Sequence, residues 1–518
     1  MIDNRQQFKK YALRKQQHEQ RYNEEYYTKQ HSKGKLTAKE RIELLLDKGS
    51  FREIDAFARS IDSVFTGKSD INDYGDGVIC GYGEVHGRKV MVYAQDFTYK
   101  GGSLGIVHAQ KIQKVQDLAL QMGHPIIGLI DSGGARIQEG VASLAGYAGI
   151  FLRNVKSSGI IPQISVILGP AAGGAVYSPA LTDFIFMTRK TSYMFVTGPE
   201  VVKEVLNESI SFEELGGADI HGGKSGVASF VYDDEEHTIQ GVKKLLSYLP
   251  SNNVENPPMI KGENIEPKNP EKLALLLPED SSKPYDMKEI INLIVDRNSF
   301  FEVSENYAQN IITGYARLNN NVIGIVANQP KVLAGTLDIN SSRKASRFVR
   351  LCDCYNIPIL VLEDVPGFLP GKNQEHEAII MHGAKLLYAF SEASVPKITV
   401  IIRKAYGGAY IVMNSKSMGG DFNFAWPTAE IAVMGPEGAV KILNRKELAE
   451  SEDPDATKKK LVAAYKEKIA NPYIADELGY VDEVIPPKKT REILIQAFSL
   501  LENKYVEKSP RKHGNIPL

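Results

Sequence analysis

The sequence predicts an α/β protein built from two duplicated domains. Two short apolar runs, PIIGLI and PILVLE, are bounded by Pro and Gly and have the composition of strands that are buried on both faces. A loop and a helical pattern follow each run. The same order of landmarks then recurs in the second half of the chain, which indicates duplication.

The duplication rests on residues that recur at an almost constant spacing. Three pairs of residues lie 233 positions apart: Gly81 and Gly314, Pro125 and Pro358, Asp131 and Asp364. The Gly-Gly sequences that begin at Gly173 and Gly407 are 234 apart, and the segments TGPE and MGPE are 237 apart. A spacing that holds through five landmarks predicts two copies of one domain.

A polar, Pro-rich segment separates the two halves and has the composition of a linker. We therefore predict a helical arm at residues 1–40, an N-terminal domain at 41–255, a linker at 256–285 and a C-terminal domain at 286–518. The arm is rich in Lys and Arg. We interpret it as a charged helix packed on the domain surface, with contact to phosphates as the alternative.

The composition excludes several classes of function. The 62 Lys and Arg residues nearly balance the 63 Asp and Glu residues, so no overall field would hold nucleic acid or an anionic membrane. The three cysteines, Cys80, Cys352 and Cys354, are too few for a disulfide framework or a four-ligand zinc site. No apolar run has the length of a membrane span or an export signal. We expect a cytoplasmic protein.

Two glycine turns are the candidate chemical centres. In each half a strand-like run, QISVILG or KITVIIRKA, leads into a Gly-Gly pair that begins a helix. Free N–H groups at a helix N-terminus can bind a developing oxyanion. A single turn of this kind would more readily be explained by close helix packing, but two at matching positions favour two carbonyl substrates.

Three other sequence motifs do not support a metal, phosphate or dinucleotide site, because their spacing or their structural context is wrong. His376, Glu377 and His382 resemble a zinc-protease motif, but the two histidines fall on different helix faces, so we expect no metal site. The segment ADIHGGKS matches a relaxed phosphate-loop pattern without the preceding apolar strand. The segment GYGEVHG is better interpreted as two strands joined by a turn at VHGR than as a dinucleotide fingerprint.

Long segments of the chain resemble one family. YGDGVICGYGEVHGR, DSGGARIQEGV, AGGAVYSPALTD, EELGGADIHGGKSGVA, VPGFLP, HGAKLLYAFSEASVPKITVIIRKAYGGAYIVM and AWPTAEIAVMGPEGAV are similar to the carboxyltransferase (β) subunits of biotin-dependent acyl-CoA carboxylases, of the propionyl-CoA and acetyl-CoA type. The resemblance runs from about residue 30 to 500. It implies two crotonase-like domains in a homo-hexamer, a trimer of dimers, with the active site between the N-terminal domain of one subunit and the C-terminal domain of its partner.

The resemblance assigns the two glycine turns to two substrates. Gly173 and Gly174 match the pair that holds the thioester oxygen of the acyl-CoA, on the N-terminal domain. Gly408 and Ala409 match the pair that holds the ureido oxygen of biotin, and Gly407 belongs to the same biotin site. In this family CO2 leaves carboxybiotin first, and the ureido nitrogen then takes the α-proton of the acyl-CoA. Backbone donors suffice for that chemistry, which agrees with the lack of an evident general base.

Further residues carry over to substrate binding. Gly133, Gly134 and Ala135 match the loop that lines the coenzyme A site, where a tight strand-to-helix turn is the purely structural alternative. Ile411 matches a position of the acyl pocket, where packing in the helix core is the alternative.

The chain departs from the family pattern at several positions. Glu377, Ala378 and Met381 stand where Gly, Gly and Arg are usual, and Lys100 and Ile106 stand where an aromatic residue and Glu are expected. These changes leave both glycine turns intact. They bear on substrate choice and partner fit more than on the type of reaction.

The resemblance also predicts partners and leaves alternatives open. The sequence YDMKEI is the wrong context for a biotinylated lysine, so carboxybiotin must arrive on a separate carrier, with a biotin carboxylase as the partner subunit. The alternative enzyme is the carboxyltransferase subunit of a biotin-dependent decarboxylase, such as methylmalonyl-CoA decarboxylase, which would bring a membrane partner. The alternative that is not an enzyme is an acyl-CoA-binding scaffold.

Overall fold

The computed structural model describes residues 4–61, 71–260, 262, 265–267, 269–507 and 510–518. The chain divides into two compact units, Met1–Glu255 and Asn256–Leu518. Residues 1–3 of the predicted arm and residues 261, 263–264 and 268 of the predicted linker lie outside the described residues. The functional division into arm, acyl-CoA domain, linker and biotin domain stays a prediction.

The first unit combines eight strands with nine helices among its described residues. The strands are β1 Arg52–Ile54, β2 Val78–Val85, β3 Arg88–Gln95, β4 Ile126–Ser132, β5 Gln163–Ala172, β6 Phe184–Thr188, β7 Tyr193–Phe195 and β8 Phe230–Tyr232. The helices are α1 Asn4–Gln20, α2 Glu24–His31, α3 Ala38–Leu45, α4 Ile106–Met122, α5 Val141–Ser157, α6 Tyr177–Leu181, α7 Pro199–Leu206, α8 Phe212–Gly216 and α9 Glu235–Leu246.

The described part of the second unit also has eight strands. They are β9 Phe301–Val303, β10 Ile311–Leu318, β11 Asn321–Asn328, β12 Ile359–Val365, β13 Lys397–Tyr406, β14 Phe422–Ala425, β15 Glu430–Ala432 and β16 Glu483–Val484. Its helices are α10 Met287–Ile294, α11 Ile339–Cys354, α12 Lys372–His376, α13 Ile379–Glu392, α14 Gly407–Val412, α15 Pro436–Leu443, α16 Arg445–Glu450, α17 Pro454–Lys468, α18 Pro472–Glu477 and α19 Thr490–Leu500.

The two sheets share one topology. The first has the order β1-β2-β3-β4-β5-β6-β8 with β7 beside β5, and the second has β9-β10-β11-β12-β13-β14-β16 with β15 beside β13. In both sheets the first three strands are antiparallel and the remaining pairs are parallel. The predicted α/β fold with a duplicated domain is therefore confirmed.

Local sequence explains the central elements. Every residue of β4 and of β12 is buried, as expected for parallel strands covered on both faces. His86 and Gly87, with φ of 52° and 73°, make the two-residue turn between β2 and β3, which is the hairpin predicted from VHGR. The segment Ile220–Lys224 is one turn of π-helix, not a strand-to-helix phosphate loop.

Each unit has its own apolar core around the sheet. In the first unit Val78, Ile112 and Ile167 belong to a buried cluster between the sheet and its helices. In the second unit Trp426 is fully buried in such a cluster, and its indole Nε1 donates to Thr490 Oγ1 at 2.9 Å. These cores hold β5 and β13, the strands that lead into the glycine turns.

The described residues contain no helix long and apolar enough to cross a membrane. Within the same ranges no group of three or more His, Cys, Asp and Glu side chains could hold a metal ion. His376 lies in α12 and His382 in α13, on two separate helices.

Candidate active site

The glycine turn of the first unit follows the long buried strand β5. The strand ends at Ala172, and a short 3-10 turn, Gly173–Val176, leads into α6. Gly173 has φ of 58°, a left-handed conformation that favours glycine. The N–H groups of the first turn have no acceptor within their own helix, so those of Gly173 and Gly174 can serve an external oxygen.

Gly174 packs against an aromatic ring. A Cβ placed on Gly174 would lie 3.1 Å from Cδ2 of Tyr147, which is tighter than ordinary van der Waals contact. Tyr147 lies in α5, is 4% exposed and stacks on Phe151 with the ring centroids 5.8 Å apart. Tyr147 therefore supports the turn from the core side.

The second unit repeats this turn at the end of β13. Gly407, with φ of 59°, begins α14 in the same left-handed conformation as Gly173. A Cβ on Gly407 would lie 2.9 Å from the carbonyl oxygen of Val433, whereas one on Gly408 would meet no heavy atom within 4 Å. The open space at Gly408 fits an oxygen that approaches the N–H groups of Gly408 and Ala409.

The two predicted donor pairs do not occupy equivalent places. The spacing of 234 residues and the matching φ values align Gly173 with Gly407. The first predicted pair, Gly173 and Gly174, therefore begins at the left-handed glycine of its turn. The second pair, Gly408 and Ala409, begins one residue after Gly407, the left-handed glycine of its turn. The spacing of 234 residues in the sequence already implies this offset, and the matching φ values of Gly173 and Gly407 agree with it.

The predicted coenzyme A loop lies beside the first turn. A Cβ on Gly134, which has φ of 102°, would lie 2.9 Å from the carbonyl oxygen of Ala172. The Ser132 hydroxyl donates to the Gly102 carbonyl at 2.7 Å and accepts from the Gly134 N–H at 3.1 Å. Gly133 N–H donates to the Gly101 carbonyl at 2.9 Å. The structure thus brings the Gly133–Ala135 loop next to the Gly173 turn.

Arg136 anchors that loop, and sequence reasoning did not single it out. Its buried guanidinium donates to Asp76 Oδ1 and Glu139 Oε1, both at 2.7 Å, and to the Ser103 carbonyl at 3.0 Å. Glu139 in turn accepts from the N–H of Ile106, the first residue of α4. Arg136 therefore ties the loop to the segment before β2 and to the start of α4.

Asp131, at the end of β4, is held by two cations from the N-terminal segment. Its Oδ2 lies 2.6 Å from Lys35 Nζ and 2.9 Å from Arg41 NH1. Arg41 is fully buried and also pairs with Glu235 at 2.7 Å. Burial lowers the pKa of Lys35, while Asp131 acts to raise it. Buried charges of this kind persist only when paired.

The equivalent aspartate of the second unit is paired differently. Asp364 Oδ2 lies 3.0 Å from Arg403 Nε, and its Oδ1 accepts from the backbone N–H of Lys404 at 3.0 Å. Arg403 lies on β13, 234 residues after Gly169 of β5. A Cβ on Gly169 would lie 1.9 Å from Asp131 Oδ1, so a side chain there is excluded. The first unit therefore takes its cations from Lys35 and Arg41 instead.

Ionic contacts also fix the residue before the second turn. The Tyr406 hydroxyl donates to Glu430, which in turn lies 2.7 Å from Lys466 Nζ. Burial raises the pKa of Tyr406, and its contact with Glu430 raises it further. Tyr406 immediately precedes Gly407, so this network holds the start of α14.

The remaining predicted positions lie on or near α14 and α13. Ile411 is 44% exposed, so it does not pack in the core of its own unit. Ala378, directly before α13, has φ of 66° and ψ of 46°. This left-handed conformation explains why glycine is expected at that position. The Met381 side chain is also partly exposed.

Comparison with known proteins agrees with this geometry. Residues 29–516 match the carboxyl transferase domain. A propionyl-CoA carboxylase carboxyltransferase subunit from Haloferax mediterranei is 56% identical over 495 residues, which cover 96% of each chain. A methylmalonyl-CoA decarboxylase subunit alpha from Veillonella parvula is 54% identical over 490 residues, covering 95% of this chain and 94% of that protein.

A solved structure shows the same fold. It is the crystal structure of transcarboxylase 12S, a hexamer with methylmalonyl-coenzyme A and methylmalonic acid bound. The two chains are 48% identical with a TM-score of 0.91, covering 96% of this chain and 95% of that one. These comparisons confirm the family and the enzymatic class predicted from the sequence. The chain belongs to the carboxyl transferase domain family.

Proposed function

We propose that this chain is the carboxyltransferase subunit of a biotin-dependent acyl-CoA carboxylase. It moves CO2 from carboxybiotin to the α-carbon of a short acyl-CoA, propionyl-CoA or acetyl-CoA. The observation that carries the proposal is the pair of glycine turns, which begin with Gly173 and Gly407 in the same left-handed conformation at the ends of equivalent strands. The high identity to propionyl-CoA carboxylase subunits supports the choice of substrate.

In this proposal the first turn binds the acyl-CoA. The N–H groups of Gly173 and Gly174 donate to the thioester oxygen, whose negative charge grows as the α-proton leaves. The Gly133–Ala135 loop, held by Arg136, lines the coenzyme A site. A preformed pair of donors costs no reorganisation when the charge develops, so it lowers the barrier to proton removal.

The second turn, Gly407–Ala409, binds biotin. Carboxybiotin, when bound, supplies the CO2 and, through its ureido nitrogen, the acceptor for the α-proton. The N–H groups of Gly408 and Ala409 donate to the ureido oxygen, and the open space at Gly408 admits it. The ordering of Tyr406 by Glu430 and Lys466 holds these donors in place.

The proposed partners follow from the same assignment. A biotin carboxylase and a separate biotinylated carrier supply carboxybiotin, and the transcarboxylase 12S hexamer supports a hexameric assembly. The proposed compartment is the cytoplasm, in keeping with the low cysteine content.

One alternative has a specific observation in its favour. The methylmalonyl-CoA decarboxylase subunit of Veillonella parvula is about as similar to this chain as the carboxylase subunits are. A decarboxylase would use the same two turns for the reverse transfer, from methylmalonyl-CoA to biotin.

The test is reconstitution with labelled bicarbonate. The chain alone, given ATP, bicarbonate and propionyl-CoA, should make no methylmalonyl-CoA. Adding a biotin carboxylase with its biotinylated carrier should produce labelled methylmalonyl-CoA. Product formed by the chain alone would refute the subunit assignment, and a complex that only removes CO2 from methylmalonyl-CoA would favour the decarboxylase.

A further inference from the structure

A small cavity lies directly behind the first glycine turn. Its volume is about 20 Å³, and its lining includes Ala175 of the turn itself together with Gln95, Tyr147 and Ser178. A cavity needs roughly 10–15 Å³ and two to four polar partners to hold one water molecule. This cavity meets the size requirement, so its polar lining decides what it contains.

Two polar atoms of the lining lack a partner within the described part of the chain. They are Oε1 of Gln95 and the hydroxyl of Tyr147, and both side chains are only 4% exposed. A buried polar atom left without a hydrogen bond costs about 1–3 kcal/mol. Burial raises the pKa of Tyr147 to about 12, against the opposing effect of the neighbouring Ser132 hydroxyl, so the Tyr147 hydroxyl keeps its proton at neutral pH and can donate.

The orientation of the Gln95 amide is set by His108. The imidazole Nδ1 lies 3.0 Å from the carbonyl oxygen of Asp76, which can only accept, so Nδ1 carries a proton. Burial lowers the pKa of His108 well below its ordinary value, and the ring is neutral. Its Nε2 therefore accepts from Nε2 of Gln95 at 3.3 Å, which leaves Gln95 Oε1 for another donor.

Ser178 offers a third partner. Its hydroxyl donates to Oδ1 of Asn154 at 2.9 Å, and the Tyr93 hydroxyl, which also lines the cavity, is its neighbour; one of the two lone pairs of the Ser178 oxygen can still accept from a water. One water molecule could thus accept from Tyr147 and donate to Gln95 and Ser178. That arrangement uses both hydrogens of the water and satisfies both atoms that lack a partner.

We propose that the cavity holds one structural water bound by Gln95 and Tyr147, and that Tyr147 is thereby a positioning residue for the Gly173–Gly174 turn. By hydrogen bonding to the Tyr147 hydroxyl, the water holds the ring in one orientation. The ring packs next to Gly174, where an added Cβ would lie 3.1 Å from its Cδ2. The effect of the Tyr147 ring on the reaction rests on the proposed function, because it requires the Gly173–Gly174 turn to bind the thioester oxygen.

The water is tested by a high-resolution crystal structure of the full chain. We expect a density peak in the cavity about 2.6–3.2 Å from both Gln95 Oε1 and the Tyr147 hydroxyl. A cavity without density in the wild-type protein would overturn the proposal. This readout needs no catalytic activity, so a density peak in a protein that transfers no CO2 would refute the proposed function and leave the water site standing.

The positioning role is tested by Tyr147→Phe, which keeps the ring and removes the hydroxyl. We expect kcat for acyl-CoA carboxylation in the reconstituted complex to fall about two- to tenfold, the equivalent of one hydrogen bond, with KM unchanged. Decarboxylation of carboxybiotin, which uses the second turn, should keep its rate. The matched control is Tyr315→Phe, the same change at a fully buried tyrosine on β10 that does not line the cavity.

A purely structural role would give a different pattern. In that case Tyr147→Phe would lower the apparent Tm and leave kcat equal to that of the Tyr315→Phe control. That result would overturn the positioning role, whereas a fall in kcat confined to Tyr147→Phe would support it.

Discussion

Gly408→Val separates folding from function more cleanly than other substitutions in the two turns. A Cβ at this position would meet no heavy atom within 4 Å, and Gly408 does not have a positive φ. Valine also has a better helix propensity than glycine, and the residue lies in α14. We therefore expect the stability to change by no more than about 0.5 kcal/mol, as for a surface substitution.

The effect on transfer should be large by contrast. The valine side chain would occupy the space through which the ureido oxygen of biotin reaches the N–H groups of Gly408 and Ala409. Loss of one oxyanion donor costs about 10²–10³-fold in kcat. The assay measures acyl-CoA carboxylation by the reconstituted complex and, separately, decarboxylation of free carboxybiotin, with apparent Tm as the control for folding.

Both activities should fall at least about 100-fold while the Tm stays unchanged. Decarboxylation of carboxybiotin at the wild-type rate would refute the assignment of biotin to this turn. A large fall in Tm would refute the claim that the space beside Gly408 is open.

Three further predictions concern the acyl-CoA turn, the acyl pocket and backbone strain. Gly174→Val should lower carboxylation at least about 100-fold, because the side chain meets the Tyr147 ring and displaces the donors; retention of more than about a tenth of the wild-type rate would contradict this. Ile411→Asp should lower kcat/KM for acetyl-CoA more than for propionyl-CoA, since the longer tail keeps a methylene contact worth about 1–3 kcal/mol; equal factors for both substrates would rule out a role in selectivity. Ala378→Gly should raise the apparent Tm in calorimetry, because it relieves a left-handed alanine that costs about 1 kcal/mol; a lower Tm would contradict the strain.

Local signals explain why much of the fold was predictable. The runs PIIGLI and PILVLE, which form most of β4 and β12, are almost entirely apolar and begin with Pro, so they indicate buried parallel strands without any knowledge of their neighbours. The Gly-Gly turns carry their own signal, because a left-handed residue after a strand calls for glycine. The repeat of these signals made the duplicated topology predictable as well.

The pairing of buried charges was not predictable in the same way. Asp131 recurs as Asp364, and that repeat was visible, but its partners Lys35 and Arg41 are about 90 residues away in the sequence. Only the folded unit shows that Gly169 leaves no room for the counterpart of Arg403. Contacts of this kind depend on packing and have no local pattern.

The support behind the first turn was hidden for the same reason. Tyr147 lies in an apolar stretch of α5, where an aromatic residue is most simply read as core. Its contact with Gly174 brings together residues from two elements. In the sequence, an aromatic residue in the helix before β5 only weakly predicts a contact with the Gly-Gly turn that follows β5. The structure shows that contact directly.

The transfer chemistry should reside in this chain alone, so its most direct test needs no partner protein. The full chain is mixed with methylmalonyl-CoA labelled in its free carboxyl group and with biocytin, a soluble biotinyl-lysine, and both products are measured. We predict propionyl-CoA and labelled carboxybiocytin in equal amounts, with Gly174→Val and Gly408→Val each abolishing both. If a folded wild-type chain forms propionyl-CoA without biocytin, or forms none with it, the two glycine turns do not carry out biotin-dependent transfer.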